Sequence, residues 1–168
     1  SSEEGTDLAE SEALLEADKK LQELTQEALT VGEQAVEFLA GDLYIKAADA
    51  SLRGDSLTAA FLYRHILTLK PKDNYLKRRY AIELIRNGKM SEAVPYLQEV
   101  FKEERDEAVG LILGGVFTAM EDRKSAMKYY TKVMQYHPKS EEACVFLAKA
   151  IAQDKTHEEA VGLLNQCE

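Results

Sequence analysis

Three histidines, two cysteines and a short run of arginines are the side chains best equipped for chemistry in this 168-residue chain. Acid–base or nucleophilic catalysis needs a base within hydrogen-bond reach of its partner. His65 falls in a helical pattern, His137 in a connector and His157 at a helix start. None stands beside a cysteine or an acid at ligand or triad spacing. Two cysteines are too few for a structural zinc site, and their spacing is wrong for one. No glycine-rich phosphate loop follows a strand. The sequence therefore predicts no catalytic residue, no metal and no cofactor. Arg78, Arg79 and Arg86, with Lys77 nearby, form a basic ridge. Such a ridge either pairs with local acids or holds an acidic segment of a ligand, since arginine forks match carboxylates. The chain's own acidic leader, within a protomer or from a neighbour, is one candidate.

That leader holds the whole charge imbalance. Residues 1–37 carry eleven acids against two lysines, which accounts for the net charge of -9. The remainder is balanced, a poor basis for neutralising phosphates, so nucleic acid is not an expected partner. No stretch of about 18 apolar residues could cross a bilayer, and no signal-peptide pattern is visible. The chain starts with Ser1-Ser2 rather than Met. The compartment is left open: cytoplasmic by default, periplasmic or membrane-anchored if a signal has been removed.

Positioning falls to helices. Residues 1–6 read as a frayed end, and Asp7 with Glu10 could open a helix as a capping-box variant. Leu14, Ala17, Leu21, Leu24, Ala28, Val31, Ala35 and Phe38 then alternate steps of three and four. This heptad-like seam suits either an amphipathic cap docked on the next helices or a self-association helix. Gly32 is expected to interrupt it. Beyond residue 40 the chain repeats. Ala59 is echoed by Ala93, Ala126 and Ala160 at spacings of 34, 33 and 34, Gly54 by Gly88, and Pro71 by Pro138. A period near 34 with fixed small residues marks a helical solenoid. Helix pairs are expected at 42–53 with 56–69, 74–87 with 91–103, 107–120 with 123–136, and 141–153 with 157–167. Asp55 or Ser56 and Asp122 are N-cap candidates, and Thr156 with Glu159 would form a capping box. Gly88 stops its helix, and Pro95 sits near the start of the next.

Residues 40–168 resemble the tetratricopeptide repeat (TPR) family. Small residues stand at Ala47 and Ala59, Ala81 and Ala93, Gly114 and Ala126, Ala148 and Ala160, followed by Tyr63, Leu97, Tyr130 and Leu164 and then by Ile66, Val100, Val133 and Cys167. Arg105 replaces a proline, and Glu121 and Lys155 replace the inter-helix glycine. The resemblance implies an all-α, right-handed superhelix of helical hairpins. An acidic leader (1–39) would precede repeats at 40–73, 74–106, 107–140 and 141–168. It also implies a concave groove lined by the first helix of each pair. Carried over position by position, that groove would hold Tyr44, Ile45, Ala48 and Leu52, then Tyr75, Arg78, Arg79, Ile82 and Arg86. Further along come Leu111, Ile112, Gly115, Thr118 and Ala119, then Val145, Phe146, Lys149 and Gln153. The family's carboxylate clamp needs Lys and Asn where this chain has Tyr44, Ala48, Arg79, Ala108 and Ile112, so chaperone-tail binding is not expected. Cys144 and Cys167 would lie at the start of one helix and the end of its antiparallel mate. They would be two buried free thiols or a disulfide.

Ala108–Met120 contains no charged residue. Such a helix is either buried all round or floors an apolar pocket. Gly114 suits close helix packing, and Gly115 would leave room on the groove side. Val161, Leu163 and Leu164 are expected to be uncovered on the last helix, as if the chain continued or met a partner. The sequence thus predicts a non-catalytic module that binds a partner peptide or helix in an apolar groove. The alternative is an assembly element, such as a homodimer, joined through the leader and the open last repeat.

Overall fold

The computed structural model describes the backbone of residues 2–154 and 157–167 and the side chains of 11–153 and 158–167. These residues form nine helices and no strand. They are α1 (Ser2–Val31), α2 (Glu33–Leu52), α3 (Ser56–Leu69), α4 (Asn74–Arg86), α5 (Met90–Glu104), α6 (Glu107–Ala119), α7 (Arg123–Tyr136), α8 (Glu141–Asp154) and α9 (His157–Gln166). Contacts divide the chain into two compact units, with the division between Leu76 and Lys77, within α4.

In the first unit α1, α2 and α3 pack on one another. α1 opens at Ser2, ahead of the expected start at Asp7, and the side chains of that expected cap lie outside the described residues. Gly32 separates α1 from α2 at φ 138°, ψ −176°, a conformation that L side chains rarely adopt. The first helix of the first pair therefore begins at Glu33 rather than near residue 42. Of the expected seam Ala28 is buried and Ala17, Leu21 and Ala35 are half-buried, whereas Leu14, Leu24, Val31 and Phe38 are exposed. Asp18 ties α1 to α3 through Arg64 Nη2 at 2.6 Å and His65 Nε2 at 2.9 Å. Gly54 turns the chain at φ 78°, and Asp55 caps α3 by accepting from the Thr58 amide at 3.1 Å.

In the second unit α6 packs on α5 and α7, α7 on α8, and α8 on α9. Asp106 and Asp122 cap α6 and α7 by accepting from the amides of Val109 and Ser125. Pro95 lies inside α5, in its second turn, so the Ser91 carbonyl lacks its helical donor there. Arg105 and Glu121 adopt positive φ, 51° and 61°, at turns where the repeat pattern would place proline and glycine. Thr156, the expected cap of α9, lies outside the described residues. Cys144 and Cys167 form a disulfide, Cα to Cα 5.5 Å, joining α8 to the residue after α9.

The small residues of the period sit where helices cross. Ala47, Ala59, Ala81, Ala93, Gly114, Ala126, Ala148 and Ala160 are all buried. A larger side chain at these places would push each pair apart.

Candidate functional site

In the second unit a cavity of about 780 Å³ opens between α6, α7 and α8. Its shape follows from three glycines on α6. A Cβ on Gly110 would lie 2.7 Å from Phe101 Cε2 and closer still to Val133, so α6 needs glycine there to approach α5 and α7. One on Gly114 would lie 2.5 Å from Tyr130 Cζ and nearer to another ring carbon. A Cβ on Gly115 would meet nothing within 4 Å, because that face looks into the cavity. Leu111 and Thr118 continue the same face of α6, and Ala150 and Gln153 line it from α8. Phe146 of α8 stacks on Tyr130, ring centroids 5.4 Å apart, and remains 39 % exposed. Lys149 Nζ stands 5.7 Å over the Phe146 ring, and Glu121 and Arg123 complete the rim. The arrangement offers an apolar floor with charges of both signs at its edge.

Of the expected groove residues, Leu111, Gly115, Thr118, Phe146, Lys149 and Gln153 meet in this cavity. Ile112 and Val145 are half-buried beside it, and Ala119 is exposed. Tyr130 joins them although its place in the repeat marks it for packing between helices. The bare Gly114 lets its ring slide beneath α6 and reach the cavity.

In the first unit Tyr44 and Tyr75 join their hydroxyls at 2.9 Å beside a smaller hollow of about 250 Å³. Along α2, Phe38, Ile45 and Leu52 recur every seven residues and are 82, 70 and 89 % exposed. Ala48 lies between them, half-buried.

The α4 cations are engaged locally. Lys77 Nζ is 3.1 Å from Glu99, Arg78 Nη1 3.7 Å from Asp106, and Arg86 Nη1 3.0 Å from Glu83. Arg79 and Ile82 are half-buried, and Arg79 too has an interaction within the fold. Pairing with neighbouring acids is the role this geometry favours. Leu163 packs against the cluster of Ala126, Tyr130 and Leu147 instead of standing open, because it faces back into the α7–α8 layer. Val161 and Leu164 remain exposed. His65 is buried against Asp18 and Phe61, and His137 Nε2 lies 2.7 Å from the Arg105 carbonyl oxygen. Among the described residues no group of acids, histidines and cysteines is placed to hold a metal ion.

No family model matches the chain, and no curated protein sequence does. Solved structures do. MamA from Desulfovibrio magneticus RS-1 superposes with a TM-score of 0.68 at 18 % identity, over 89 % of this chain and 92 % of that one. YrrB, described as a TPR protein with an unusual peptide-binding site, gives 0.67 at 16 % identity, over 92 % of this chain and 80 % of that one. PilF from Pseudomonas aeruginosa gives 0.62 at 18 % identity, over 93 % of this chain and 78 % of that one. The fold is of the TPR type. In TPR terms α2, α4, α6 and α8 are the A helices and α3, α5, α7 and α9 the B helices, with α1 preceding the first pair. No helix among the described residues is long and apolar enough to cross a membrane.

Proposed function

We propose that this TPR-type chain is a non-catalytic interaction module that holds a partner peptide or helix against its A helices. The observation that carries this reading is the cavity at Gly115. It is large enough for one bulky apolar anchor, and it is opened by a glycine that helix stability alone would not select. Phe146 and Tyr130 supply aromatic walls, and Lys149 and Arg123 would orient the polar flanks of the ligand. The similarity to YrrB, a protein with a peptide-binding site, supports a peptide as the ligand class. On α2, Phe38, Ile45 and Leu52 would contact a partner in the same manner. A disulfide between Cys144 and Cys167 suits an oxidising compartment.

The test uses a displayed library of random peptides selected on the intact protein. Selected peptides should carry a large apolar residue and bind Gly115→Leu at least about tenfold more weakly. Circular dichroism should show that the variant keeps its helices. Peptides that bind wild type and Gly115→Leu equally would place recognition elsewhere.

A further inference from the structure

A second groove lies in the second unit, on B helices α5 and α7, and is separate from the cavity at Gly115. It encloses about 460 Å³ and is lined by three cations, Lys102, Arg105 and Lys132, and three aromatic rings, Phe101, Tyr129 and Tyr136. No acid lines it. The rings are fixed: Phe101 lies 5.8 Å from Tyr129 and 5.9 Å from Tyr136, centroid to centroid. Gln98 Nε2 donates to the Tyr129 hydroxyl at 3.0 Å. Two of the cations lean on these rings. Arg105 Cζ is 4.6 Å from the Tyr136 centroid, and Lys132 Nζ is 5.6 Å from that of Tyr129. Along α7 there is no acid at all, while Arg123, Lys124, Lys128 and Lys132 give it four positive charges. A helix so biased sets up a local positive field in a chain of net charge -9.

A counterpart is in the chain's own leader. Residues 3–16 contain Glu3, Glu4, Asp7, Glu10, Glu12 and Glu16 and no base. Glu12 and Glu16 are exposed and stand one helical turn apart. Leu14 and Leu15 between them are exposed too, Leu15 by 68 %. From Asp18 onward α1 is held on α3, so residues 11–16 are presented to solvent from a fixed base. Lys102 and Arg105 are exposed as well, and Lys132 is half-buried.

We propose that the α5–α7 groove receives the acidic N-terminal segment of a second copy of this chain. Carboxylates of Glu12 and Glu16 would meet Lys102, Arg105 and Lys132, and the leucines would pack on the Tyr129 and Tyr136 rings. Charge pairs at an exposed rim act mainly through steering and register, so association should be strongly salt-dependent.

The experiment is sedimentation velocity on the full chain over a concentration series, at about 0.05 M and about 0.5 M salt. The expected result is reversible association at low salt that is lost at high salt. The Glu12→Lys/Glu16→Lys pair and the Lys102→Glu/Lys132→Glu pair should each weaken it at least about tenfold, and the four changes together should restore it. Glu12, Glu16 and Lys102 are exposed and Lys132 is half-buried, and circular dichroism of each variant checks that the helices persist. A chain that stays monomeric at low salt overturns the proposal. So does association indifferent to both pairs, or one that the fourfold variant fails to recover. Binding of a single-stranded RNA oligonucleotide at the same lysines, without self-association, would overturn it too and assign the groove to a different polyanion. Because Gly115→Leu does not touch this groove, failure here leaves the peptide reading standing, and the reverse holds.

Discussion

Gly114 and Gly115 are adjacent, yet their backbones answer to different demands. Gly114→Ala would drive a methyl into the Tyr130 ring, which Phe146 already backs, and should cost about 1–3 kcal/mol. Gly115→Ala meets open space and should gain up to about 1 kcal/mol from helix propensity. Urea midpoints of the two variants, measured against wild type, should therefore move in opposite directions. His65 gives a prediction of another kind. Burial holds its pKa below the ordinary value of 6.5, against the opposing pull of the Asp18 hydrogen bond and with a smaller contribution from Arg64. The unfolded chain thus takes up a proton near pH 6.5 that the folded chain resists. Stability contributed by neutral His65 is complete above that pH and declines as pH falls through it toward the lower folded pKa. Thermal midpoints of wild type should fall below about pH 6.5, and His65→Gln should flatten that slope. The Asp18–His65 contact spans 47 residues, and nothing local in the sequence announces it.

At the scale of the element, most of the helices are legible in the sequence. The period of small residues marks the crossings, and the caps at Asp55 and Asp122 are visible as acids before helical runs. The break at Gly32 is legible too, since a glycine inside the seam from Leu14 to Phe38 is expected to interrupt it. That α2 begins directly after it, at Glu33 and not near residue 42, is not, because one backbone conformation joins the two helices there without a loop. Two turns depart from the repeat pattern, and both hold an L residue at positive φ. Glu121 occupies a left-handed conformation at φ 61° between α6 and α7. An L residue there bears roughly 1 kcal/mol of strain that glycine avoids. Glu121→Gly should raise the thermal midpoint, as followed by circular dichroism, while Glu121→Val should lower it. The basic bias of α7 is hidden by the neutral balance of the chain beyond residue 37, and it emerges only when acids are counted helix by helix.

For the molecule as a whole, the fold follows from stacking: a lone hairpin leaves an apolar face that a neighbour must cover. In the last hairpin the disulfide between Cys144 and Cys167, 23 residues apart, adds a covalent tie between α8 and the end of α9. On chain-entropy grounds a loop of that size is worth about 3 kcal/mol. Treatment with dithiothreitol, or Cys167→Ser, should shift the denaturation midpoint down and raise amide exchange in α9 before α6. The location of the apolar cavity is legible because A-helix positions carry over from one TPR-type chain to another. Its depth is not, since it depends on how far the Tyr130 ring moves under Gly114.

At Gly32 the requirement on the chain is one of handedness. A φ of 138° with ψ of −176° is the mirror image of ordinary extended backbone. Amide hydrogen bonds run up to this joint, from Gly32 to Ala28, and resume past it, from Val36 to Gly32. One residue thus redirects the chain at little cost in hydrogen bonding. The site prefers the opposite enantiomer: D-alanine would sit there relaxed, where L-alanine would press α1 and α2 toward a single rod and draw Asp18 away from His65. At this one position the genetic code can meet the requirement only with its achiral residue.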